Sequence, residues 1–193
     1  MSFRSLYEEV QEQHGRISTH WLKERAIALS HITHVKEQRS SILDSINLRG
    51  FYIEGPLGPP VPLIENQALI VIARSVCEGP RGDAYRRFIY TKELMHVFDE
   101  EHEKASSPET FDAQVVKFGD PNADTSPQFR AENKALIRAY AVLCTREQRE
   151  EYKRQLDGNV TSLEVLATTI RVPPFVARDM LSDAVQRLIP HIM

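Results

Sequence analysis

The sequence is poor in features that would assign it to a specialised class at once. Its two cysteines, Cys77 and Cys144, form no CxxC-type pair, so the simplest interpretation is a reduced protein with both thiols in the core. It has no run of about 18 apolar residues, so no transmembrane helix is expected. Its N-terminus shows no apolar stretch of the kind found in signal peptides. We therefore expect a cytoplasmic protein without membrane contact.

Familiar catalytic and ligand-binding motifs are also missing. There is no nucleophile elbow, no phosphate-binding glycine loop and no dinucleotide fingerprint. A net charge of −3 gives no overall attraction to nucleic acid. What remains is an ordinary globular composition, 41% hydrophobic and 26% charged, in 193 residues, which is long enough for one sizeable core.

The most informative stretch runs from Arg86 to Asp99 and contains the pentad KELMH. In the zinc-protease pattern His-Glu-x-x-His, two histidines on one helix face bind a zinc ion, and the glutamate handles the proton of a zinc-bound water. Glu93 and His96 are present here, but Lys92 takes the first ligand position. An ammonium group has no lone pair to give and repels a dication. The pentad therefore predicts a metallopeptidase frame whose metal chemistry is damaged or abandoned.

Periodicity and turn residues predict an α+β protein that is mostly helical, with a small β-hairpin or sheet. Within the N-terminal region, a second helix either continues to residue 46 or breaks near residues 39–41. The predicted helical regions are 5–46, 84–104, 127–156, 162–170 and 174–188; the predicted strands are 51–53 and 68–73, and 105–128 is predicted to be a long loop.

With this order of elements, the chain resembles the ImmA/IrrE family of small His-Glu-x-x-His metallopeptidases. Members of this family have a glycine-led hairpin that ends in an apolar strand, and residues 50–72 match it. They also have an arginine-phenylalanine pair shortly before the His-Glu-x-x-His motif, and Arg87-Phe88 match this pair. The resemblance implies a zincin-like helix pair and a helix-turn-helix-like tail. It divides the chain into an N-terminal helical segment (1–48), a metallopeptidase-fold core (49–158) and a helical tail packed on the core (159–193).

The third zinc ligand of the family is a glutamate on a second helix, and two registers place it differently here. The register with more matching packing positions, among them Ala135 and Ala139, puts Lys134 at the ligand position. A register two residues earlier leaves Glu132 as the ligand candidate. In the preferred register lysines hold two of the three ligand positions, which a catalytic zinc site does not tolerate.

The resemblance also implies a biological context, since active members of the family cleave DNA-bound repressors in mobile elements or stress responses. We expect a non-catalytic regulator, a pseudoenzyme that holds a protein partner such as a transcriptional repressor. Glu93 would be a remnant of the general base, and Lys92, Glu93, His96 and Lys134 would converge as a salt-bridged cluster without metal or other cofactor.

Three alternatives stay open. In the first, the chain is an active zinc peptidase that uses His96, Glu132 and an acidic neighbour as ligands, with Glu93 as the base. In the second, it is a DNA-binding accessory protein that acts through residues 162–188, with Arg171 and Arg178 as phosphate contacts. In the third, the pentad KELMH occurs by chance on an ordinary surface helix and has no relation to zinc proteases. The acidic run 99–103 is a weaker candidate for metal ligands, because such runs are more often solvated surfaces. The sequence does not predict an oligomeric state.

Overall fold

A computed structural model describes residues 2–43, 48–59, 62–103 and 127–193 of the chain. These residues form an α+β fold that is mostly helical, which confirms the predicted class. The helices are α1 (Phe3–Gln11), α2 (Thr19–Ala28), α3 (Gly82–Leu94), α4 (Pro127–Leu143), α5 (Arg146–Asp157), α6 (Leu163–Ile170), α7 (Pro174–Leu181) and α8 (Asp183–Leu188); the strands are β1 (His34–Ser40), β2 (Gly50–Glu54) and β3 (Gln67–Ala73). Short 3-10 helices cover Arg74–Cys77, Met95–Phe98, Glu101–Glu103 and Ile189–Ile192.

The sheet has three strands in the order β1-β3-β2, with β1 parallel and β2 antiparallel to the central β3. Side chains of β3 alternate between the two faces, as in any strand. Ile70 and Ile72 are fully buried in the main core with the helices, whereas Leu69 and Val71 form a smaller cluster with Leu63 on the other face. The strands predicted at 51–53 and 68–73 are therefore confirmed as β2 and β3.

The N-terminal region differs from the prediction, because it is not helical throughout. Helix α2 ends at Ala28, and residues 34–40 form β1, which pairs along its length with β3. Val35 is the only buried side chain in β1, so the strand has no apolar alternation that the sequence could reveal. Its backbone groups are satisfied by β3 instead. The segment 1–48 thus contributes a strand to the sheet of the segment 49–158.

Three predicted helices are shorter than expected. The helix predicted for 84–104 is regular only to Leu94 and continues as 3-10 turns. The helix predicted for 127–156 is interrupted at Thr145, whose side chain caps α5 in a capping box with Gln148. The helix predicted for 174–188 breaks at Ser182, which caps α8. Most of the predicted loop, residues 105–126, lies outside the described residues.

A close approach between β2 and α3 positions the candidate site. A Cβ atom on Gly50 would lie 2.6 Å from Ile89 Cγ2 and 3.4 Å from Glu93 Cγ, so only glycine allows this contact without displacing a side chain. The sheet therefore lies directly against the face of α3 that carries Glu93. Buried side chains of α1 and α4 join the same core.

Candidate functional site

Four polar side chains converge where α3 ends and α4 passes it: Lys92, Glu93, His96 and Glu132. The ammonium of Lys92 lies 3.1 Å from Glu93 Oε1 and also forms a hydrogen bond with Glu132 Oε2. His96 Nε2 lies 3.4 Å from Glu132 Oε1 and 3.7 Å from Glu93 Oε2. These last two contacts are ion pairs without a well-formed hydrogen bond, since neither Nε2 nor Glu93 Oε2 has a hydrogen-bond partner among the described residues.

Asp99 extends this group of charges into the interior. One carboxylate oxygen lies 2.6 Å from His96 Nδ1, and the other accepts a hydrogen bond of 2.7 Å from Arg138 Nη1. Arg138 also donates to the carbonyls of Met95 and Phe98, both at 3.3 Å. The 3-10 turn after α3 is thereby held to α4, and Asp99 fixes the orientation of the His96 ring.

Aromatic rings cover two sides of the cluster. Tyr52 of β2 stacks on the His96 ring with centroids 5.9 Å apart and an interplanar angle of 23°, and its hydroxyl donates to Glu54 at 2.7 Å. Phe3 of α1 lies under the Arg138 guanidinium, 5.5 Å from its carbon, an arrangement that favours the cation. Sheet, N-terminal helix and α4 all contribute to this enclosure.

Burial and charge act in opposite directions on these groups. Burial alone would lower the pKa of Lys92, but the carboxylates of Glu93 and Glu132 outweigh it and raise that pKa. Burial likewise opposes protonation of His96, yet Glu132 and Asp99 raise its pKa to about 10. Burial raises the pKa of Glu93. Burial alone would raise the pKa of Glu132, but the positive charges of Lys92 and His96 hold that pKa below its usual range. At neutral pH, His96 is therefore an imidazolium beside an ammonium.

These residues do not fit a zinc ion. Zinc needs deprotonated ligands with free lone pairs, but the Lys92 ammonium has none and lies within hydrogen-bond distance of both Glu93 and Glu132. Among the described residues, no group of three or more His, Cys, Asp or Glu side chains is arranged to hold a metal. Asp99 of the acidic run is engaged with Arg138 and His96, and Glu103 with Lys134.

The contacts separate the two sequence registers. Glu132, the candidate of the alternative register, contacts Lys92 and His96. Lys134, the preferred candidate, instead donates to Glu103 Oε1 at 2.7 Å, and Glu103 also accepts from the backbone N–H of residue 100. Among the contacts of the described residues, Glu132 therefore joins Lys92 and His96, whereas Lys134 pairs with Glu103. Lys134 lies two residues further along α4, which turns its side chain to a different face of the helix.

The candidate DNA contacts lie elsewhere. Arg171 ends α6 with a left-handed backbone conformation (φ 60°) and is exposed. Arg178 on α7 is also exposed and lies 3.4 Å from the carboxylate of its neighbour Asp179. The two helices between residues 163 and 181 pack on each other. Neither arginine belongs to the polar cluster around Lys92.

The sequence does not predict three features of this site. It gives no indication of Arg138 or Tyr52, and it predicts Asp99 only as a weak candidate metal ligand within the acidic run 99–103. The spacing of Asp99, three residues after His96, is a usable signal, because such residues are neighbours on one helix face. No signal in the sequence points to Arg138 or Tyr52, since their contacts depend on how α4 and β2 pack against α3.

Comparison with known proteins adds no relative: the chain matches no protein-family model, no curated protein and no solved structure. Within the described part of the chain, every helix is too short or too polar to cross a membrane. The polar cluster and its surroundings are therefore the observations on which a function can be proposed.

Proposed function

We propose that the protein is a non-catalytic, protein-binding regulator built on an ImmA/IrrE-like metallopeptidase frame. The observation that carries the proposal is the position of the Lys92 ammonium, which pairs with both Glu93 and Glu132. In the resembling family these positions correspond to the general base and, in the alternative register, to the third zinc ligand. A fixed positive charge thus takes the place of the ion between the two carboxylates.

The charge balance supports this proposal. Lys92, His96 and Arg138 supply three cations against the carboxyl groups of Glu93, Glu132 and Asp99. A cluster with matched charges needs no ion to be stable, whereas leaving buried carboxylates unpaired would cost several kcal/mol. A metal-free cluster therefore keeps the frame intact while removing the water-activating centre that peptide cleavage requires.

The finer structure of this frame is part of the proposal. We interpret α3 and α4 as the zincin-like pair, since Lys92, Glu93 and Glu132 meet across them. We interpret α6 and α7 as a helix-turn-helix-like pair with a structural role. DNA binding by this pair is not favoured, because Arg178 is paired with Asp179 and exposed Glu164 lies on the same helix pair.

A partner could approach the cluster from the side of Lys92 and Glu132, whose side chains are 19% and 29% exposed. Strand β2 lies at an edge of the described three-stranded sheet, and Tyr52 links it to His96. Edge strands can bind extended segments of other proteins through backbone hydrogen bonds. We propose that an extended segment of a protein partner, such as a transcriptional repressor, binds here without being cut.

Metal analysis tests the non-catalytic part of the proposal. Protein purified without chelator is expected to carry far less than one zinc per chain, and zinc titration is expected to show no stoichiometric binding with sub-micromolar affinity. One tightly bound zinc per chain would favour the active peptidase instead, and loss of partner cleavage in Glu93→Gln would then establish it.

Partner binding needs a separate test. A photo-crosslinking amino acid at Phe129, one turn before Glu132 on α4, is expected to capture a partner in its intact form. The same amino acid at Val165, which is 56% exposed on α6, is the matched control. Capture at both positions alike, or recovery of a cleaved partner, would contradict the proposal.

A further inference from the structure

Three arginines lie at one end of the sheet, each on a different strand or directly beside it. Strand β1 places Arg39 opposite Ile72, near the carboxyl end of β3. Arg74 follows β3 directly, and the carbonyl of Arg49, just before β2, accepts a hydrogen bond of 2.9 Å from the N–H of Ala73. The register of the two strand pairs therefore brings residues 39, 49 and 74 together, and we refer to these three arginines as the basic end of the sheet.

Other side chains do not neutralise the basic end. Its three arginines are exposed, and within the described part of the chain none of them forms an ion pair or a side-chain hydrogen bond. Glu37 lies two positions before Arg39 on β1, but both of its carboxylate oxygens accept hydrogen bonds from Arg86, at 2.8 and 2.6 Å. The guanidinium groups of the basic end therefore keep their donors for solvent or for a ligand.

The opposite end of the sheet carries acidic residues. Glu54 is the last residue of β2 and lies opposite Ala68, near the start of β3. Glu65 is exposed and precedes β3 by two residues. Charge is thus separated along the strands, so an acidic ligand is attracted to one end of the sheet and repelled by the other.

A cavity of about 400 Å³ begins next to the basic end. Its lining residues are Ser75, Val76, Glu78, Pro80, Arg81 and Tyr85. The first two belong to the same 3-10 helix as Arg74, so the cavity and the basic end are continuous. Val76, Pro80 and Tyr85 give it apolar walls, and its one acidic and one basic residue balance each other. A cavity of this kind is suited to an apolar side chain, the usual anchor of a protein interface.

We propose that the basic end binds an acidic segment of a protein partner, with an apolar side chain of that segment in the adjacent cavity. A guanidinium group binds a carboxylate through two parallel hydrogen bonds. Two other arginines of this chain already bind glutamates in this way, through Nε and Nη2. The three arginines of the basic end supply the same donors to carboxylates from outside the chain.

A nucleic acid suits this surface less well than an acidic protein segment. At physiological salt, exposed charges interact over about 8 Å, so a short segment is affected mainly by the arginines beside it. A nucleic acid extends further, across a chain whose net charge is −3 and towards the acidic end of the sheet. Its phosphates also offer nothing to fill an apolar cavity. The local arrangement therefore favours carboxylates on a protein.

This proposal goes beyond the proposed function and does not rest on it. None of the three arginines belongs to the cluster around Lys92, and their charge does not depend on whether that cluster holds a metal. Zinc binding at the cluster would overturn the non-catalytic regulator and leave the basic end unaffected. The two proposals therefore fail independently.

An NMR titration of the full-length protein, labelled with nitrogen-15, tests the proposal with the peptide EEEFEEE. The amide signals of the basic end and of the cavity lining are expected to shift, and binding is expected to weaken as salt is added. The peptide EEESEEE, which lacks the apolar side chain, is expected to bind about tenfold more weakly. The peptide KKKFKKK is expected not to bind at this end. Equal binding of EEEFEEE and EEESEEE would overturn the role of the cavity.

Two triple variants test the arginines themselves. Replacing all three arginines of the basic end with glutamine is expected to weaken EEEFEEE binding by about tenfold or more, because each loses a charge-assisted contact. The matched control makes the same change in net charge at three exposed arginines outside the sheet: Arg4, Arg16 and Arg187. It is expected to bind the peptide as the wild type does.

The outcomes that would overturn the proposal are distinct. They are no binding of EEEFEEE by the wild type, shifts confined to another part of the protein, equal weakening in the two triple variants, or tighter binding of a single-stranded DNA of the same charge. The peptide comparison uses the wild type alone, so it stays decisive if a triple variant does not fold.

Discussion

Helix α3 carries two cations less than two turns apart, the buried Arg87 and the partly buried Lys92, and their surroundings differ. The Lys92 ammonium pairs with two carboxylates, and the cluster around it matches cations with carboxyl groups. Arg87 has one hydroxyl as a partner and two arginines within electrostatic reach. Among the described residues, the same helix therefore holds one cation that is paired with carboxylates and one that is paired with none.

The difference indicates what each end of the helix does. A buried charge that is fully paired contributes to the fold and has little capacity left to bind an ion. A buried charge without an opposite charge carries a desolvation cost that its neighbours do not offset. The Lys92 end is therefore a paired polar cluster, whereas at the Arg87 end two donors, Nε and Nη2, have no hydrogen-bond partner among the described residues.

The largest expected effect comes from removing the lysine. Lys92→Met should lower the free energy of unfolding by about 3 kcal/mol, because it leaves the buried carboxylate of Glu93 and the partly buried carboxylate of Glu132 without their shared cation. Urea denaturation followed by circular dichroism measures this change. A loss below about 1 kcal/mol would show that the cluster does not depend on the ammonium.

A pH series examines the same cluster through His96. Its pKa is about 10 in the folded chain against 6.5 for an ordinary histidine, so the folded state holds this proton more tightly. The stability it contributes is fully present below about pH 6.5 and is lost as the pH rises through about 10. Between these values the free energy of unfolding should fall by about 1.4 kcal/mol per pH unit from this group.

The control for the pH series is His96→Gln, which keeps a polar side chain beside Asp99 but has no proton to lose. Its stability curve between pH 7 and about 10 should be flatter than that of the wild type by roughly the slope stated above. Identical slopes in the two proteins would mean that His96 is not protonated in the fold.

Removing the buried arginine should have a much smaller effect. Arg87→Met should change the free energy of unfolding by about 1 kcal/mol or less, because loss of the Thr19 hydrogen bond is offset by removal of an uncompensated charge. The measurement is the same urea denaturation. A loss as large as that of Lys92→Met would erase the contrast between the two ends of α3.

A smaller effect than that of Lys92→Met is also expected for Lys134, the residue that the preferred register placed in the site. Its side chain is 31% exposed, and among the described residues it pairs with the buried carboxylate of Glu103, which also accepts from the backbone N–H of residue 100. Lys134→Ala should therefore cost about 1–2 kcal/mol, because one buried carboxylate, rather than the two that Lys92 pairs with, loses its cation. Chemical denaturation of this variant beside Lys92→Met tests the register directly. Equal losses of unfolding free energy in the two variants would indicate that Lys134 belongs to the polar cluster around Lys92.

The sequence allowed much of the fold to be predicted, and the reasons for the errors are physical. Strands β2 and β3 are apolar enough to stand out, whereas β1 has one buried side chain and is a strand only because β3 offers it a partner. The break at Thr145 was readable from its capping box with Gln148.

The candidate site was predictable in part. The pentad KELMH predicts Glu93 and His96 as site residues because they match the glutamate and second histidine of the zinc-protease pattern. It also points to Lys92, which stands where that pattern has its first histidine. The choice between Glu132 and Lys134 depends on the rotation of α4 about its axis, and the packing positions in the sequence favoured the register that places Lys134 in the site. The free donors of Arg87 depend on contacts between distant elements, so a motif that includes this residue cannot show whether it has a partner.

If the Lys92 ammonium takes the place of a metal ion, replacing it with histidine should restore a zinc site, and zinc titration of the wild type and of Lys92→His side by side measures this. The wild type should show no stoichiometric zinc binding. Lys92→His should bind one zinc per chain, because the substitution removes the ammonium and completes a ligand set with His96 and Glu132. Tight zinc binding by the wild type, or no zinc binding by either protein, would show that the ammonium does not stand in for a metal ion.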